Sequence, residues 1–108
     1  MDNKSREGVT LRFAENLVAS MLQRNGTDFC RASNACDFMV QKGSNTYQLE
    51  VKYLDQPAMA RSTWQDWRNS GAKKHLVLVT GNGDNVFADP AVAPLLLTDY
   101  RTKLSVLD

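Results

Sequence analysis

One stretch limits the fold more than any other. Residues 74 to 80 read KHLVLVT, a run apolar at successive positions rather than at alternate ones. A strand of that kind sits centrally in a sheet, covered on both faces. The remaining segments are read as its partners and its cover. Residues 6 to 25 predict a helix, with Phe13, Ala14, Leu17, Val18, Met21 and Leu22 at i, i+3, i+4 spacing and Asn25-Gly26 as the stop. TDFCRAS, 27 to 33, reads as a short strand or extended approach, and ACDFMVQ, 35 to 41, as a strand with Phe38 and Val40 on one side and Asp37 and Met39 on the other. KGSN is a turn, and TYQLEVKYL, 46 to 54, returns antiparallel to close a hairpin.

After Asp55-Gln56-Pro57 breaks that strand, STWQDWRNSG predicts a second helix, Ser62 and Gln65 having capping-box spacing. GNGD is a turn and NVFAD a short strand. Asp89-Pro90 resembles an N-cap with proline at the first helical position, and predicts a further helix that Pro94 complicates. The C-terminal residues carry no clear pattern. The expected fold class is α/β, one mixed β-sheet flanked by helices in the order α-β-β-β-α-β, as a single domain over residues 1–108.

The totals exclude several function classes. At 108 residues and a formal net charge of +1, the chain has neither a strongly basic coat nor a charged tail, although a local basic rim is compatible with these numbers. No apolar run approaches the roughly 20 residues of a membrane span, and MDNKSREG has no signal-peptide core. Cys30 and Cys36 read as core thiols of a reducing compartment, which predicts a cytoplasmic location. With His75, read as structural, they have no zinc-site spacing.

Chemistry is concentrated in YQLEVKYL. Tyr47, Leu49, Val51 and Tyr53 alternate with Gln48, Glu50 and Lys52, so a carboxylate and an ammonium stand side by side on one face. Asp37 lies on the preceding strand. If it faces the same side, two carboxylates and one amine converge. Such carboxylates repel unless a cation sits between them. Hard oxygen ligands at that density suit Mg²⁺, which keeps several waters that a phosphate can replace. The alternative is a solvated face with a cross-strand ion pair worth under about 1 kcal/mol.

Asp37 with Glu50-Val51-Lys52 resembles the PD-(D/E)xK nuclease superfamily, the restriction-endonuclease-like fold. ENLVASMLQRNG, with Glu15 upstream of Gly26, is similar to archaeal Holliday-junction resolvases and Mrr-type nucleases. TWQDWRNSG resembles the helix that carries a Gln in virus-type replication-repair nucleases. Cys36 departs from the pattern, since many members have Pro before the Asp. The resemblance spans roughly residues 10 to 80. It implies an endonuclease hydrolysing DNA phosphodiester bonds with Mg²⁺ or Mn²⁺, held by Asp37, Glu50, the Val51 carbonyl and Glu15. Lys52 would position the attacking water, and Gln65 would be a further catalytic residue. Glu7 is a rival to Glu15.

For nucleic-acid contact the candidates are Ser33 and the rim cations Arg31, Lys42, Arg61, Arg68, Lys73 and Lys74. Trp64 and Trp67, three apart, read either as packing on the sheet or as a base-stacking platform. Branched DNA is the expected substrate and a homodimer the expected assembly, with VAPLLL, 92 to 97, as either interface or core. A catalytically inactive binding or interaction module on the same fold, and an unrelated α/β adaptor with an accidental Glu-x-Lys, are the other readings.

Overall fold

The computed structural model describes residues 3–32 and 36–108, with side chains in the first helix from residue 10 onward. Helix α1 spans Asn3–Arg24, followed by β1 Asp28–Arg31, β2 Phe38–Lys42 and β3 Asn45–Leu54. A 3₁₀ turn, Pro57–Met59, leads into α2 Ala60–Asn69, and then come β4 His75–Thr80, β5 Asn85–Ala88, a 3₁₀ turn Ala93–Leu95 and β6 Lys103–Val106. The strands form one six-stranded mixed sheet in the order β1-β2-β3-β4-β5-β6. β1–β2, β2–β3 and β4–β5 are antiparallel, while β3–β4 and β5–β6 are parallel. The β3–α2–β4 segment is a crossover of the kind a parallel pair requires.

The apolar run at 75–80 is explained by cover on both faces. Val77 and Val79 pack with Ala14, Val18, Met21 and Leu22 of α1, together with Phe38, Val40, Leu49 and Val51. Leu76 and Leu78 pack on the other side with Ala60 and Trp64 of α2 and with Leu107. The second cluster draws on β4 and β5 and takes only Leu54 from β3. Helix α2 is therefore offset toward the β4 side, and the Glu50–Lys52 face of β3 is left without a helical roof.

Helix α1 ends where Asn25-Gly26 predicts. Gly26 has φ +70°, its N–H donates to Gln23 O (2.9 Å), and Thr27 N–H donates to Leu22 O (3.0 Å). This is a Schellman closure.

Several expectations are corrected. No α-helix follows Asp89: its Oδ1 accepts from Ala91 N–H (2.8 Å), and the chain continues as turns and a 3₁₀ segment. Pro94 lacks the N–H that a longer helix would need. The unpatterned C-terminus is a strand, β6, its side chains too mixed in polarity to signal one. VAPLLL is largely core, with Val92, Ala93, Leu95 and Leu96 buried and Leu97 exposed. The capping box is absent: Met59 is the N-cap of α2, and Ser62 Oγ donates back to Met59 O (3.2 Å). Cys30 is exposed on an edge strand, whereas Cys36 is buried. Phe13 is 42% exposed instead of buried with the rest of its helical face. Among the described residues no helix is long and apolar enough to cross a membrane.

The loop between β4 and β5 touches α1 at one tight point. Gly83 has φ +86°, and a Cβ there would lie 3.1 Å from both Leu17 and Phe13. Gly43, in the β2–β3 turn, has φ +62° with open space around it. Gly43→Ala should cost about 1 kcal/mol from backbone strain alone, and Gly83→Ala about 2 kcal/mol because the helix side chains must also give way. Urea unfolding of the two variants checks that order.

Candidate active site

The site begins where β2 and β3 separate. The register pairs Phe38 with Leu49, and Asp37 N–H donates to Leu49 O (2.9 Å). One step further the backbone ladder stops, and the Asp37 side chain replaces it: Val51 N–H donates to Asp37 Oδ2 (2.7 Å). The N–H and C=O of a strand residue point to the same side, so the Val51 carbonyl also faces the side from which β2 departs. Buried Cys36 lies behind the turn, its thiol donating to Phe38 O (3.2 Å).

Three carboxyl groups meet at this fork. Glu15, from α1, and Glu50, from β3, each lie close enough to Asp37 to feel its charge. Burial and like charge together push both glutamates above the ordinary glutamate value. For Glu15 the causes are partial burial first, then the neighbouring Asp37 carboxyl, with Arg31 opposing and Glu50 adding a little. For Glu50 they are partial burial first, then the charge of Asp37, with Lys74 and Lys52 opposing.

Lys52 is exposed one step along the same face, its Nζ 5.5 Å from the centre of the Trp67 ring. An open groove of about 850 Å³ runs along the free edge of β3 beyond the fork, with Asp37 and the successive residues from Glu50 to Asp55 in its lining. Thr10 and Leu11 of α1 contribute to its lining, as does Met59 ahead of α2. Asp55, which sequence reading treated only as a strand breaker, also lines it. No spacing rule singles Asp55 out, because it reaches the groove through the bend after β3.

The donor set is all oxygen, which fits a hard divalent cation. Among the described residues no three His, Cys, Asp or Glu side chains form a ready-made metal cage. Mg²⁺ does not need one: one or two carboxylates and several waters suffice, and Asp37, Glu50 and the Val51 carbonyl would supply the protein share.

The other candidates divide. Arg31 acts on Glu15 and donates to Asn16 Oδ1 (2.8 Å), and Lys74 acts on Glu50. Lys42 is at the hairpin end of β2, roughly 16 Å along the strand from Asp37, and is not a rim residue of this groove. Arg68 stacks on Trp64, with its guanidinium carbon 4.7 Å from the ring centre. Arg61, Gln65 and Lys73 are exposed, and none lines the groove. Trp64 is buried against β4, and Trp67 is half-buried with its indole N–H on Lys74 O (2.9 Å), so this pair packs on the sheet. His75 pairs with Asp89 at 3.4 Å and meets the Tyr47 ring edge-on. Ser33 and the side chain of Glu7 lie outside the described residues.

No family model matches the chain, and no curated protein matches it significantly.

The raised glutamates make stability fall with pH. The folded state holds these protons more tightly than the unfolded chain does. Their contribution is therefore complete at acid pH and is lost as pH climbs past the ordinary glutamate range. Glu50→Gln should consequently melt higher than the parent at pH 7, with the advantage shrinking at pH 4. Mg²⁺ should raise the melting temperature of the parent more than that of the variant. Thermal melts at the two pH values, with and without Mg²⁺, test both statements.

Proposed function

We propose that this protein is a metal-dependent nuclease of the PD-(D/E)xK type that hydrolyses DNA phosphodiester bonds. The observation that carries the reading is the Asp37 carboxylate on Val51 N–H at a strand fork, with Glu50 and Lys52 lining the same groove and Glu15 within reach of the Asp37 charge. Three carboxyls crowded together at neutral pH are a net cost to folding. A divalent cation removes that cost, which gives the arrangement a purpose that a solvated ion pair would not.

In this reading Asp37, Glu50 and the Val51 carbonyl hold Mg²⁺ or Mn²⁺. The bound ion would lower the pKa of a water and polarise the phosphodiester. Glu15 steadies Asp37 from the helix side. The Lys52 ammonium orients the attacking water and stabilises charge growing on the phosphate oxygens. Its Nζ lies 5.5 Å from the centre of the Trp67 ring.

The deciding experiment is a divalent-dependent cleavage assay on linear duplex, single-stranded, flapped and four-way-junction DNA. Lys52→Ala should lower the rate by about 10²- to 10³-fold while leaving the melting temperature unchanged, because the side chain is exposed. Parent-level cleavage by that variant would refute the role of Lys52. No cleavage of any substrate in Mg²⁺ or Mn²⁺ would leave a binding module as the reading. The junction substrate tests the expected preference for branched DNA, and light scattering tests the expected two-fold dimer.

A further inference from the structure

A second, smaller pocket of about 370 Å³ adjoins the groove, and Thr10 and Tyr53 line both. Phe13, Gly81 and Asn82 complete it. That volume is within the range of small-ligand sites, roughly 300–1,000 Å³. Its chemistry differs from that of the carboxylate groove, with two aromatic rings, one amide side chain and no acidic group in its lining.

Both rings are held in place. The Tyr53 hydroxyl donates to Gly81 O (2.9 Å). The Phe13 ring edge rests against Gly83, where a Cβ would come within 3.1 Å, while the side chain remains 42% exposed. An exposed aromatic side chain braced from behind offers contact area without a further ordering cost. Asn82 lies at the exposed turn, and its amide offers both donors and an acceptor. A flat ring together with an amide matches the face and edge of a nucleobase.

Tyr53 is three residues beyond Glu50 on β3, roughly 10 Å along the strand and on the opposite face, and the two meet across the strand's free edge, where both line the groove. That is the scale of a neighbouring nucleotide, not of a distant domain. We propose that Phe13, Tyr53 and Asn82 form a subsite for one unpaired base of the strand whose phosphate reaches Asp37 and Glu50. The inference rests on the phosphodiester reading, which makes the ligand a polynucleotide. A base inside a continuous duplex cannot enter such a pocket without leaving its stack. The substrate class is therefore DNA with a single-stranded or extrahelical nucleotide next to the cut.

The test compares binding, by fluorescence anisotropy, of a fully paired duplex and the same duplex with one bulged nucleotide. The parent should bind the bulged form about tenfold more tightly, the scale of one base–aromatic stack. Phe13→Leu preserves apolar bulk against Gly83 but removes the stacking face, and Asn82→Ala changes only an exposed turn residue. Each should bring the bulged-to-paired ratio toward one, with paired binding and melting temperature unchanged. A parent without preference, or a preference that survives in both variants, would overturn the subsite. Cleavage measured on the same substrates separates the two readings. Mg²⁺-dependent cutting with an unaltered preference refutes only the base pocket. A preference lost in the variants, without cutting by the parent, supports the pocket and refutes the nuclease.

Discussion

The hydrogen bond from Val51 N–H to the Asp37 carboxylate is the point on which the site depends. It lets β2 leave β3 without orphaning a backbone donor, so the strand can end abruptly. It also fixes one carboxylate at the fork, where Glu15 and Glu50 can reach it. An asparagine would lack the charge, and a glutamate would place its oxygens one methylene too far out. The residue that closes the ladder is thereby the residue around which the acidic cluster is arranged.

The offset of α2 determines what this cluster faces. Trp64 and Ala60 cover Leu76 and Leu78, and Trp67 reaches only as far as Lys52. Had the helix crossed directly over β3, Glu50 would be buried under indole, and its charge would be far more costly. The free edge of β3 lies instead in a groove lined also by residues of α1 and of the 3₁₀ turn before α2.

Much of this was legible in the sequence because it follows from period and alternation. The central strand, the hairpin, both helices and the shared face of Asp37 and Glu50 are local patterns. What escaped was non-local. Strand β6 is held by its parallel pairing with β5 and by Leu107 docking in the α2 cluster, neither of which leaves a periodic trace. The segment after Asp89 has the cap chemistry of a helix, but its apolar residues, Val92, Ala93, Leu95 and Leu96, fill the core as an irregular plug. Phe13 has core spacing, yet it sits beyond the sheet, beside the glycine turn. Lys42 opens the KGSN turn, five residues from Asp37, so its distance from the fork follows from the hairpin and its charge alone does not make it a rim residue.

The six-stranded sheet is open, with two outer strands, β1 and β6, each only four residues long, and a further free edge along β3 beyond the fork, where pairing with β2 stops at Leu49. An unpaired edge is a template for another strand, and short charged edges are one way to discourage such pairing. β1 carries Asp28 and Arg31, and β6 begins with Lys103. Sheet-to-sheet growth between molecules is thus disfavoured at both ends of the fold. The remaining free edge, that of β3 beyond the fork, is the wall of the groove.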